Sequence, residues 1–140
     1  MAVKFIELIS IEARRFSKRG EKFAALRIDN TSTVTAITEI NNKEANIEFR
    51  FTTSYGPVGT IKIEGKLILD CNAAELTSQW AQTMNMPENI ANEVHNAIMH
   101  TCMPESVFLA RDLHLPPPVP LPQVDVRKRK EGRVGGPEVA

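Results

Sequence analysis

The stretch VGTIKIEGKLILD, residues 58–70, alternates apolar and charged side chains almost without a break. Ile61, Ile63, Gly65, Leu67 and Leu69 fall on one side, and Lys62, Glu64 and Lys66 on the other. A strand with one buried and one solvated face satisfies that order, because successive side chains point to opposite faces. At Asn72 the period lengthens to that of a helix. A sheet comes first, therefore, and helices follow.

Upstream, residues 45–54 repeat the pattern, with Ile47, Phe49, Phe51 and Thr53 opposed to Glu48, Arg50 and Thr52. Tyr55-Gly56-Pro57 is a turn between the two strands. Residues 33–41 are rich in Thr, Val and Ile, whose branched side chains favour a pleated surface. Residues 22–29 read as a further strand, closed by a turn at Asn30-Thr31-Ser32. Residues 3–16 are rich in Ile and Phe and alternate only in part, around Phe5, Glu7, Ile9 and Ile11. A bulge, or an interface covering both faces, accounts for such a pattern. Parallel pairing needs a crossover of about a dozen residues or more, and these connections read as too short for one. The expectation is an antiparallel sheet of four or five strands. Gly65 in mid-strand marks a bulge or the close approach of a helix backbone. Glu48 and Glu64 are expected to pair with Arg50, Lys62 or Lys66 on the solvated face.

Downstream, Asn72 with Glu75 three residues later forms a helix cap. A helix over 73–84 carries Ala73, Leu76, Trp80 and Met84 on its apolar side, and Asn85-Met86-Pro87 breaks it. A second helix opens near Pro87, with a stripe of Ile90, Val94, Ala97, Ile98 and Thr101. Pro104 should kink or interrupt it before a last helical segment at 105–113. LPPPVPLP, residues 115–122, reads as extended polyproline chain, docked or free. RKRKEGRVGGPEVA then reads as disordered. The division is one α+β domain over 1–115 and a proline-rich, basic, flexible tail over 116–140.

Apolar residues make up 42% of the chain and charged residues 24%. The net charge is zero but unevenly placed. Residues 1–112 hold 12 Lys and Arg against 14 Asp and Glu, while residues 113–140 hold five against three. A body that grips nucleic acid usually carries a strong positive excess, so only the tail qualifies. Nothing approaches the roughly 18 apolar residues of a membrane span. Cys71 and Cys102 lack metal-ligand spacing. With no apparent leader, they are expected to be reduced thiols of a cytoplasmic protein.

Catalytic chemistry finds little foothold. His95 and His100 are five apart on one helix, about 140° around its axis, and do not converge on a metal. Cys71 at a sheet-to-helix junction reads as a small buried hydrophobe rather than a nucleophile. There is no GxSxG, no HExxH and no phosphate-binding glycine loop. The expectation is a non-enzyme without cofactor or metal. Arg127, Lys128, Arg129, Lys130 and Arg133 are a solvated tail, an arm for RNA or DNA, or a contact for an acidic protein surface, with no aromatic residue interleaved to stack bases. Phe5, Ile9, Phe16, Phe23 and Phe51 are spread over a small sheet that two helices can cover on one face only. The other face then calls for a partner subunit or a client.

The strand VGTIKIEGKLILD, the helices LTSQWAQTM and PENIANEVHNAIMHTCMPES and the segment LARDLHLPPPVPLP together resemble the bacterial export chaperone SecB and its relatives. The resemblance spans about residues 3–115. It implies a non-catalytic chaperone or adaptor that binds unfolded or extended apolar polypeptide as a homo-oligomer, assembled through the sheet edge and helices. Phe5, Ile9, Phe49, Phe51 and Trp80 are the candidates to line its groove or interface. The departures are a body only mildly acidic, a link of only Asn85-Met86-Pro87 between the helices, and a tail without clear counterpart. The alternative is an accessory subunit of a ribosome or other ribonucleoprotein, its tail on RNA.

Overall fold

The computed structural model describes residues 2–22 and 26–119. Four strands are followed by two helices: β1 (Ala2–Arg15), β2 (Asp29–Asn41), β3 (Glu44–Ser54), β4 (Gly59–Asp70), α1 (Ala73–Thr83) and α2 (Glu88–Asp112). All pairings are antiparallel, in the order β1-β4-β3-β2. Three strands joined by tight turns and one reached through a long connection make a Greek key. β1 and β2 are the two edges.

The central pair behaves as its alternation requires. Ile47, Phe49 and Phe51 of β3, with Ile61, Ile63, Leu67 and Leu69 of β4, are buried beneath the helices. α2 crosses all four strands, while α1 lies over β2 and β3. Leu76, Val94, Ile98, Cys102 and Ala110 close the core from the helix side. The opposite face is polar along its centre, where Arg50 lies 3.8 Å from Glu64 and Lys66 lies 3.5 Å from Glu7. Such exposed pairs contribute about 0–1 kcal/mol each and mark a solvated surface.

Three expectations need correction. Of the strand expected at 22–29, residues 22 and 26–28 lack regular structure, Asp29 begins β2, and residues 23–25, Phe23 among them, lie outside the described residues. Asn30-Thr31-Ser32 is not a turn but the start of β2, with Thr31 opposite Thr52 and Ser32 opposite Phe51. Polar residues suit it because β2 is an edge, and Asn30 is held by a hydrogen bond from Thr53 Oγ1 at 2.7 Å. Finally, α2 runs unbroken through Pro104. Both Pro104 and His100, whose carbonyl loses its amide donor there, are exposed, so water can serve that carbonyl.

The helix starts as its sequence directs. Glu75 N donates to Asn72 Oδ1 at 3.3 Å, and Asn72 Nδ2 donates to Glu75 Oε2 at 3.3 Å. Gly65 faces a bulge, where β1 skips Ile9 after Leu8, and it marks a close approach to β1 and not to a helix. A Cβ there would collide with the Glu7 carbonyl oxygen and come within 2.7 Å of the Phe49 ring.

Past α2, His114 turns the chain at φ 56° and Leu115 N donates to Ala110 O at 2.8 Å. The first prolines are docked. Tyr55 Oη donates to Pro116 O at 2.7 Å, and Asn30 Nδ2 donates to Pro118 O at 3.0 Å. Burial pushes the Tyr55 hydroxyl up to about 12, which keeps it a donor at any ordinary pH.

Candidate functional site

The structure separates the five apolar candidates. Phe49 is 1% exposed and Phe51 0%, so both are core side chains closed off from any partner of this folded chain. Their alternation fixed a face, and α1 and α2 cover that face. Phe5 and Ile9 stand on the outer side of β1, 52% and 63% exposed. β1 is irregular after Val3 and after Leu8, where the ladder skips a residue. Such bulges in an exposed edge strand alter its twist and the pairing it offers. Ile11 and Phe16 add to the exposed apolar surface along and just past the same strand.

Trp80 is half-buried on the other side of the molecule, beside the β2 edge. It lines a shallow groove of about 260 Å³ with Val34 of β2, Met84, Met86 and Ala91. The groove follows from how α1 ends. Met84 takes a left-handed conformation at φ 56° and its amide donates to Trp80 O at 2.8 Å. That cap turns the chain sharply, and Met84 is left 63% exposed. Asn85-Met86-Pro87 therefore does more than break a helix: its Asn85 and Met86 supply a groove wall. Methionines in sequence around a helix break were the available signal. Flexible thioethers suit surfaces that adapt to varied apolar partners.

His95 closes the groove floor. Its Nδ1 and Ser32 Oγ are hydrogen-bonded at 2.7 Å, joining α2 to β2. Burial lowers the His95 pKa from 6.5, so the imidazole is neutral at neutral pH.

The other candidate chemistries are not assembled. Among the described residues no group of three or more His, Cys, Asp and Glu could hold a metal ion. Burial pushes the Cys102 thiol up to about 11, and burial with the adjacent Asp70 raises that of Cys71. No described helix is long and apolar enough to cross a membrane. Arg127, Lys128, Arg129, Lys130 and Arg133 lie outside the described residues.

A four-stranded antiparallel sheet covered on one face by two helices, in this order, is a SecB-like fold. No family model matches the chain, and no curated protein matches its sequence. Among solved structures, it is similar to the Mycobacterium tuberculosis SecB-like chaperone Rv1957, in complex with a ChAD peptide from the Rv1956 HigA1 antitoxin. The TM-score is 0.55 at 15% sequence identity, over 88% of this chain and 86% of that chain. The likeness is one of fold.

Proposed function

We propose that this protein is a SecB-like chaperone or adaptor that holds extended apolar segments of other polypeptides and works as a homo-oligomer. The observation that carries this reading is the groove of Trp80, Met84 and Met86 lying against the edge of β2 that no other described strand pairs. Such an edge offers main-chain donors and acceptors to an extended chain, and the groove beside it takes alternate apolar side chains. Main-chain bonding supplies affinity without sequence demands, while adaptable methionines accept varied residues. Support comes also from the peptide bound to the SecB-like chaperone of similar fold. Oligomerisation would run along β1, where Phe5 and Ile9 are exposed on a long edge strand.

The test is binding of a labelled, uncharged extended peptide with alternating apolar residues. Trp80→Ala and Met84→Asp should each weaken it by about tenfold or more, as expected for anchors in a small interface. Binding unaffected by both changes sinks the groove.

A further inference from the structure

Five cations crowd the nine residues from Arg14 to Lys22: Arg14, Arg15, Lys18, Arg19 and Lys22, with Glu21 the single acid among them. The loop that holds them is firmly built. Phe16 N and Ser17 N both donate to Val58 O, at 2.8 and 3.2 Å. Lys18 N donates to Glu21 Oε1 at 2.6 Å and Glu21 N donates back to Lys18 O at 3.1 Å. Gly20, at φ 87°, lets that turn close. The Glu21 carboxylate is thus engaged by a backbone amide. Arg15 Nη1 donates to Leu113 O at 3.3 Å, which fixes the guanidinium beside the end of α2.

The result is a hollow of about 660 Å³, with Arg15, Lys18 and Arg19 on its walls and Leu26, Val58 and Pro116 as its apolar part. Among the described residues none of the five cations forms an ion pair. Asp112 borders the adjoining surface with Arg14 and Arg15.

We infer that this hollow is a second binding site, distinct from the Trp80 groove, and that it takes an acidic peptide segment. Its cations would meet carboxylates, with Arg15 able to engage one bidentately, and its aliphatic part would take a neighbouring apolar side chain. Nucleic acid fits less well. Among the described residues no Phe, Tyr or Trp lines the hollow to stack a base. The site stands independently of the proposed chaperone groove.

Full-length protein would be titrated, by fluorescence anisotropy, against a short labelled peptide alternating Glu and Leu. The comparisons are a peptide alternating Lys and Leu and an oligouridylate of equal length. The acidic peptide should bind, the basic one should not, and binding should weaken as salt rises. Lys18→Glu with Arg19→Glu, both at exposed positions, should reduce affinity by about tenfold or more. The matched reversal Lys43→Glu with Lys62→Glu, also exposed, should change it little, and Trp80→Ala should leave it intact. The inference is overturned if the acidic peptide does not bind or if both reversals weaken it equally. It is equally overturned if oligouridylate binds more tightly than the peptide.

Discussion

Phe51 and Ile9 are both large, apolar strand residues, and their surroundings give them opposite roles. Phe51 lies in the middle of β3, opposite Ile63 of β4 and sealed by helix side chains. Removing its ring would leave a cavity between the sheet and the helices. Phe51→Ala should therefore cost about 3–5 kcal/mol of folding stability, read by chemical denaturation. Ile9 is 63% exposed, and Ile9→Ala should change stability by only about 0.5 kcal/mol. An equal loss at both positions would mean that Ile9 is covered. The sequence alone placed both residues on strands, since alternation reports face and spacing. It could not report which face the helices take, because that depends on where two later segments dock. Phe49 and Phe51 were therefore legible as one apolar face, but not as side chains that the helices close off from a groove.

Elements meet at the His95–Ser32 bond, which ties the first half of α2 to the edge strand β2. The side chains around the groove there are uncharged, among them Thr33, Val34, Trp80 and Met86, so burial alone acts on the imidazole. Its folded pKa lies below 6.5, so the unfolded chain takes up the proton first as pH falls. Folding stability contributed here is intact above the unfolded value and declines as pH drops below about 6.5 towards the folded value. Thermal melts between pH 8 and 5 should show that decline, and His95→Gln should flatten it. A decline that persists undiminished in the variant assigns it to other groups. Elements were unevenly legible. The capped start of α1 is local chemistry between Asn72 and Glu75, and it can be read from four residues. The start of β2 is not, because Asn30, Thr31 and Ser32 are turn formers that the ladder with β3 recruits into an edge strand. Pro104 deceived for a similar reason: its cost depends on whether water reaches the carbonyl it leaves unpaired.

At the scale of the whole molecule, charge and apolar surface are sorted into separate places that summed composition hides. A net charge counted over residues 1–112 averages the basic loop at 14–22 against acids elsewhere, so it pointed only to the tail. The apolar surface is sorted as well. The helices cover one face, the centre of the other is charge-paired, and Phe5, Ile9, Ile11 and Phe16 concentrate along β1 and its end. A long, apolar, unpaired edge is what a chain that stays monomeric avoids, through shorter edges or charges placed on them. Two copies joined β1 to β1 about a twofold axis would pair both edges and bring Phe5 and Ile9 of each near the other copy. Light scattering coupled to size-exclusion chromatography should accordingly show a dimer or a multiple of it. Phe5→Asp with Ile9→Asp should shift it toward monomer while the far-ultraviolet circular dichroism of the folded chain is kept. Lys62→Glu, on the charge-paired face, should leave the mass unchanged. A wild-type chain that runs as a monomer at micromolar concentration, with β1 still apolar and exposed, would remove assembly from the proposed function and leave the Trp80 groove to act in a single copy.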